Sequence, residues 1–460
     1  MLSLRGADLY PYKVVIVSAN NLISPDPVYP IGASIVASAC KRAGHSVYTF
    51  DCNFRQTPEA DLQDFLKKIN PDVIGISLRN IDNTQFPGTT SFIPWYQRVM
   101  DVCRKSSNAL IVLGGSGYSL FPSELFETLK PDYGIVGDGE HAFPDLLKSI
   151  SKKERTEKLI YALKTDLLKV DTAPEREFFD IQNYYHRGGM INIQSKRGCA
   201  FNCSYCTYPY LEGYRLRLRN VNDVVDEIEA MLSVHGIKYF FFVDSVFNHP
   251  EKHAASIARE IVRRKLPIQW SGYIRPEMSD PDILKLFKES GCRSIELGTD
   301  SMADETLKSM KKNLTLDNIF SFCEACHDAD ISFAHSLIFG APGETLQTAQ
   351  TTVKNVQQTS PTAALAFLGI RVFPHTEIAS FCMKSGYLQN SSDIGLNPLF
   401  YLPEGMTETL TSYLNEIINE DPRWIIPGLE DYDMEILKKY RSKKRKGMGW
   451  EIKKFIDIIG

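Results

Sequence analysis

No stretch of the chain approaches the ~18–20 consecutive apolar residues that span a bilayer. The opening segment, MLSLRGADLYPYKVVIVSAN, enters a strand-like run without a long apolar core or a small-residue cleavage site. The expected address is therefore the cytoplasm, with no transmembrane segment. Excess charge of one sign is lacking as well. A formal net charge of −4 over 460 residues gives no global attraction to nucleic acid or to an anionic membrane. Cysteine is sparse, ten residues in all, and cytoplasmic cysteines stay reduced. A tight group of them then signals metal or catalysis rather than disulfides. What is present is a globular composition, 43% hydrophobic and 23% charged, in a chain long enough for two or three domains.

The first 150 residues alternate short β-branched runs (KVVIVSA, HSVYTFD, DVIGISL, ALIVLGG, DYGIVGD) with amphipathic helical stretches. Continuous apolar strands separated by helices predict a parallel sheet covered on both faces, a doubly wound α/β domain. Ligands of such domains bind beyond the carboxyl ends of the strands. Those ends carry Ser18–Asn20, Ser77–Asn83, Gly114–Gly117 and Gly137–Glu140. The glycines either admit a close ligand or serve as ordinary turn residues. Residues 151–190 are charged and aperiodic and read as a linker with a partial helix. From 191 to 392 six strand candidates alternate with helices: INIQSK, KYFFFVD, IQWSGYI, RSIELGT, ISFAHSLIFG and ALAFLGIRVF. Six such units predict a partial (β/α)6 TIM-like barrel with its active site at the carboxyl ends of the strands. Residues 393–460 read as a mainly helical extension that caps the barrel mouth. Its basic run KKYRSKKRKGMGWEIKK reads as solvated surface.

Directly after the first barrel strand comes KRGCAFNCSYCTYP, with Cys199, Cys203 and Cys206 spaced C-x3-C-x2-C. A structural zinc site is closed by four protein ligands, and a [4Fe-4S] cluster normally takes four thiolates. Three thiolates leave one iron open for substrate or cofactor. Cys292, Cys323, Cys326 and Cys382 are the distant candidates for a fourth ligand.

The segment CAFNCSYC resembles the signature of the radical S-adenosylmethionine (SAM) superfamily, with Tyr205 at its aromatic position. SLIFGAPGET is similar to the superfamily's fifth-strand segment bordering the adenosine of SAM, and SGCRSIELGTDS to its fourth strand. YPIGASIVASACKRAGHSVYTFD and LGGSGYSLFPSELFETLKPDYGIVGDGE resemble the cobalamin (B12)-binding domain that precedes many radical SAM cores. The resemblance covers roughly residues 12–380. It implies a fold with a Rossmann-like cobalamin-binding domain at 1–150, a linker at 151–190, a radical SAM core at 191–392 and the extension after it. The implied cofactors are a [4Fe-4S] cluster on Cys199, Cys203 and Cys206, SAM on the open iron, and cobalamin. The implied chemistry is reductive cleavage of SAM to a 5′-deoxyadenosyl radical, fed by a low-potential flavodoxin- or ferredoxin-type donor.

The same resemblance implies SAM contacts at Tyr205 and Gly340, at Asp244 and Ser245 where relatives hold the SAM amine, and at Arg275 for its carboxylate. Glu296 and Asp300 are the candidates for its ribose hydroxyls. For cobalamin it implies Asn20, Ser77, Arg79, Asn80, Asn83, Gly114, Gly115, Ser116, Gly117, Gly137 and Glu140. The D-x-H-x-x-G motif that supplies a cobalt-binding His is absent: GDGEHAF has Asp138 and His141 at the wrong spacing. Arg79, Asn80 and Asn83 would line the cofactor's lower face instead. CEACH at 323–327 matches C-x-x-C-H, but its helical spacing and the lack of an export signal point to buried structural thiols. His335 and His375 lie near strand ends as substrate contacts or satisfied core residues.

Cobalamin beside a radical SAM barrel implies methyl transfer to an unactivated carbon or phosphorus centre of a small-molecule or lipid-like substrate. The alternatives are a non-methylating rearrangement, cyclisation or oxidation, and a cobalamin- or redox-responsive binding protein. No catalytic side chain and no nucleic-acid partner is indicated.

Overall fold

The computed structural model describes residues 11–162, 174–430, 434–443 and 445–455. Five continuous apolar runs form parallel strands β1 (Lys13–Ser18), β2 (Ser46–Asp51), β3 (Val73–Ser77), β4 (Leu110–Gly114) and β5 (Tyr133–Val136). Their order in the sheet is β2-β1-β3-β4-β5, extended by a sixth strand, β6 (Leu159–Tyr161). The segment read as a linker therefore completes the sheet edge and also carries the helix Ile181–Gly188. Three residues of edge strand are too few to show a period in the sequence.

The second sheet is parallel throughout and runs in chain order: β7 (Ile191–Ile193), β8 (Tyr239–Phe242), β9 (Gln269–Ile274), β10 (Ser294–Asp300), β11 (Ser332–Phe339) and β12 (Ala363–Leu368). This is the expected open six-unit barrel, and its outer helices follow elementary rules. The helix Val221–His235 begins at the Asn220 cap and stops at left-handed Gly236. The helix Glu251–Arg264 buries Ala254, Ile257, Ala258 and Ile261 against the strands, while Glu260 pairs with Arg263 and Arg264 outside. The run ALAFLGIRVF does not continue as one strand. It breaks at left-handed Gly369, and Ile370–Arg371 leaves the barrel to pair with Phe400–Tyr401.

The extension differs most from expectation. After the helix Met406–Glu420 it adds a seventh barrel strand, β13 (Trp424–Ile425), beside β12. Leu402 does reach the mouth, packing at Gly340 and Gly369. The tail Gly449–Phe455 instead enters the opposite end. Glu451 is fully buried and accepts from Tyr239 Oη at 2.9 Å and Ser294 Oγ at 2.7 Å, both at strand starts, while pairing with Arg293 at 3.0 Å. The basic run is also less solvated than its composition implies. Arg441 is buried against Asp26 at 2.8 Å, and Lys446 lies 4.0 Å over the Tyr185 ring.

The two sheets share a core, in which Val14, Tyr29 and Ala33 join Tyr184, Ile191 and Val224. Polar groups inside the joint are paired. Arg176 bonds Glu227 at 2.7 Å and the Asn192 carbonyl at 2.8 Å, while Asn192 donates to the Tyr29 carbonyl at 2.8 Å. A second buried pair, Arg371 with Asp82 at 3.0 Å, ties the segment that leaves the barrel after β12 to the loop after β3.

Candidate active site

The cysteine loop leaves β7 through a short antiparallel ribbon, Lys196–Arg197 with Arg217–Leu218. Gly198, at φ +93°, makes the turn into Cys199, and a Cβ there would stand 2.3 Å from the Arg215 carbonyl. Only glycine fits. Cys199 is buried, while Cys203 and Cys206 are partly open. Four carboxylates hold the loop from behind. Asp244 accepts Ser195 N at 2.8 Å, Ser195 Oγ at 2.5 Å and Lys196 N at 3.1 Å. Glu212 accepts Gly198 N at 2.9 Å. Glu140, from the first domain, pairs with Arg197 at 2.5 Å, and Asp138 joins Arg197 at 3.0 Å and also Arg217.

These contacts bear on four expectations. Asp244 accepts the Ser195 and Lys196 amides on one oxygen and the Ser195 hydroxyl on the other, and Ser245 Oγ donates to the Gly198 carbonyl at 3.1 Å. Both side chains anchor the loop. Glu140 is a clamp between domains. Asn83 closes its own loop, accepting Thr90 N at 2.9 Å and donating to Gln85 and Gly88.

In front of the cysteines, Tyr205 Oη donates to Asp300, and Asp300 pairs with Lys312 at 2.5 Å. A register shift between Gly298 and Asp300, with Asp300 at φ +65°, turns this carboxylate to the cluster side. Lys312 was not picked out in the sequence. It lies twelve residues beyond Asp300, and the one available signal was that a buried aspartate requires a cation. Arg275 is buried, stacked 4.2 Å over Phe201, with Nη2 on the Lys312 and Asn313 carbonyls at 2.8 and 2.7 Å and Nε beside Glu277 at 2.9 Å. Gly340, at φ +101°, packs at Gly369, and Glu344 folds back to accept Gly340 N and Ala341 N.

The donor set fits an iron–sulfur cluster. Burial pushes the Cys206 thiol up to about 12 and raises Cys203, with Lys312 and Arg275 the positive charges opposing it at Cys203. Thiolates so enclosed form in the presence of a strong local cation such as iron. Among the described residues no three His, Cys, Asp or Glu groups are arranged to hold one metal ion.

Across from the loop stand the turns after β3 and β4, where Ser77, Arg79, Asn80 and Gly114–Gly117 gather. Asn20 closes the turn after β1 on Leu22, and Gly137 follows β5. Gly115 and Gly117 are small because the neighbouring turn approaches: added Cβ atoms would meet the Leu78 carbonyl at 2.5 Å and Asn80 C at 3.0 Å. Arg79 from the first domain and Tyr208 and Tyr273 from the barrel side keep open surface and lie close enough to influence one another electrostatically. An open face between strand-end turns on one side and a barrel on the other suits a large planar cofactor.

Two further groups resolve as structural. His335 bonds Thr299 and Thr359, both at 2.8 Å, and burial lowers its pKa to about 3. Cys323 and Cys326 are buried on the helix Leu316–Asp328. His375 stacks on Tyr210 with ring centroids 4.2 Å apart.

Residues 193–356 match the radical SAM superfamily and residues 19–147 the B12 binding domain. The chain is 24% identical over 441 residues to tryptophan 2-C-methyltransferase of Streptomyces laurentii, covering 78% of this chain and 72% of that protein. It is 21% identical over 435 residues to cytidylyl-2-hydroxyethylphosphonate methyltransferase of Streptomyces wedmorensis, with 79% of each covered. The solved structure of the radical SAM methyltransferase TsrM from Kitasatospora setae, with cobalamin and [4Fe-4S] cluster bound, superimposes with a TM-score of 0.74 at 27% identity over 81% of this chain and 76% of that one. With three cysteines on the loop of a six-unit barrel and a B12-binding sheet facing them, the chain belongs to the radical SAM enzymes that carry a cobalamin-binding domain and use a [4Fe-4S] cluster, SAM and cobalamin.

Proposed function

We propose that the protein methylates an unactivated carbon, or a phosphorus centre, of a small-molecule or lipid-like substrate. The observation that carries this reading is that the open side chains of Arg79, on the turn after β3, and of Tyr208 and Tyr273, beside the cysteine loop and in the barrel, lie close to one another between the two domains. When bound, the cluster with SAM supplies a carbon-centred radical and the cobalamin a transferable methyl group. The chain's own part is to position and to exclude water. Cys199, Cys203 and Cys206 hold the cluster. Tyr205, Asp300 and Lys312 form a buried polar edge beside Cys203 suited to the polar groups of SAM, and Gly340 lets backbone approach it. Ser77, Arg79, Asn80 and Gly114–Gly117 are the proposed cobalamin contacts. The relatives named above methylate chemically unlike substrates, so the shared part of the reading is the methyl transfer and not its acceptor.

The test uses anaerobically purified protein with reconstituted cluster, hydroxocobalamin, SAM and a low-potential reductant. Bound cobalamin is read from the visible spectrum, and both SAM products by chromatography. S-adenosylhomocysteine together with 5′-deoxyadenosine is the expected result. 5′-Deoxyadenosine alone would assign a non-methylating radical reaction, and neither product a binding protein.

A further inference from the structure

The barrel lumen is closed in its lower half and open in its upper half. Side chains alternate along each strand, so every second residue of β8–β12 faces inward. In the lower lumen the inward residues Tyr239, Ser271, Ser294 and Ala363 are sealed, and so are Phe241, Ala334 and Leu365, while Gln269 and Ser332 at the strand starts open to the outside. Trp450, carried in by the C-terminal tail, packs with Phe241, Leu365 and Ile425 and completes an apolar floor. Higher up, inward residues keep open surface: Tyr273 on β9, Glu296 on β10, Ser336 and Ile338 on β11, and Phe367 on β12.

Glu296 is the one carboxylate among these. Its Oε1 accepts from Ser336 Oγ at 2.8 Å. The buried Trp450 indole nitrogen faces it. Among the described residues Glu296 forms no ion pair with Lys, Arg or His. Burial raises its pKa. An acid in an enclosed, mostly apolar space with no cation of its own is costly to keep ionised, and a ligand that brings the cation relieves that cost.

We propose that Glu296 is the substrate's polar anchor: an ammonium or N–H donor of an apolar amine binds its carboxylate above the Trp450 floor, rather than the ribose of SAM. This rests on the methyltransferase reading for the identity of the site and adds the class of acceptor, an amine or N–H heterocycle with an apolar body. The half-buried Glu296 carboxylate takes the polar group, Ser336 keeps it oriented, and Ile338, Phe367 and Tyr273 flank the apolar part.

The test measures binding to the cluster- and cobalamin-loaded protein by anaerobic calorimetry. The probes are tryptamine, phenethylamine, neutral 3-ethylindole and anionic indole-3-propionate. The expected result is that tryptamine binds at least about tenfold tighter than 3-ethylindole and that the propionate is rejected. In Glu296→Gln, with iron and cobalamin content unchanged, tryptamine falls to the level of 3-ethylindole. If that variant does not fold, the wild type decides: affinity for tryptamine drops as pH falls and Glu296 protonates, whereas affinity for 3-ethylindole stays flat. Equal affinities in the wild type, an amine preference that survives in Glu296→Gln, a pH-independent tryptamine affinity, or no binding of either amine would each overturn the proposal. SAM products measured on the same samples separate the two readings. Amine binding without S-adenosylhomocysteine removes the methyl transfer and leaves the anchor standing.

Discussion

The two parallel sheets hold the loops at their carboxyl ends by different means. In the N-terminal sheet the turn after β4 is locked by volume. Gly115 and Gly117 pack against the Leu78–Asn80 backbone, with Gly117 N bonded to the Leu78 carbonyl at 2.9 Å and Ser116 Oγ to the Arg79 carbonyl at 2.8 Å. In the barrel the loops are locked by charge. Asp244, Glu212 and Glu344 accept backbone N–H groups of residues 195–196, 198 and 340–341. A neutral steric interlock is indifferent to pH and intolerant of any added atom. A carboxylate clamp tolerates changes in volume but ties loop geometry to a protonation state. The arginine pair at Asp138 and Glu140 joins the two regimes.

Removing a thiol separates the two regions most completely. Alanine at Cys199, Cys203 or Cys206 is expected to abolish the cluster's visible absorption and reduce SAM cleavage to background, while bound cobalamin per chain stays within about twofold of wild type. Cobalamin lost in parallel would mean that the regions do not fold independently. The reciprocal change is Gly115→Ala. A Cβ at φ +102° would stand 2.5 Å from a carbonyl oxygen, so roughly 3 kcal/mol or more of destabilisation is expected. Thermal denaturation should show it equally at pH 6 and pH 8, with cobalamin content reduced and iron content kept.

What the sequence disclosed divides along the same line. The strands were legible because parallel strands buried on both faces are continuous apolar runs, and the cysteine loop because ligand spacing is local. The counter-charges were not. Lys312 reaches Asp300, and Glu140 reaches Arg197, only through tertiary folding. The same blindness hides the loop contacts of Asp244: an acid at a strand end reads alike whether it faces a ligand or its own loop. The tail shows it from the other side. Within a run dense in lysine and arginine, Met448, Trp450 and Ile452 are buried and Glu451 is sealed among hydroxyls of the barrel floor. Only the burial of its partners, which composition does not record, sets that segment apart from solvated surface.

Asp244→Ala sharpens the charge side of the comparison. It leaves the Ser195 and Lys196 amides and the Ser195 hydroxyl buried without their acceptor, expected to cost roughly 2–4 kcal/mol, felt locally. Faster amide exchange at residues 195–199 and incomplete iron loading are the expected readouts. Asp244→Asn, which keeps one acceptor oxygen, should fall between alanine and wild type. Unchanged exchange in the alanine variant would remove Asp244 from its role as anchor.

The smallest effect should be the one that reports protonation itself. Burial raises Glu344 to about 7, against the hydrogen bonds from Gly340 and Ala341 that pull it down. Because the folded-state pKa lies above the unfolded value of 4.5, the folded chain holds more protons between these limits. Its stability is then greatest below about pH 4.5 and declines as pH rises toward 7, by roughly 3 kcal/mol at most. Glu344→Gln stays neutral and keeps an acceptor for both amides. Hydrogen exchange of Gly340 and Ala341, followed from pH 5 to pH 8 and corrected for intrinsic rates, should show protection falling in the wild type and staying level in the glutamine variant. The same scan on the Gly115–Gly117 amides should be level in both proteins. A falling profile at those glycines would show that the steric interlock also depends on charge and would erase the distinction between the two sheets.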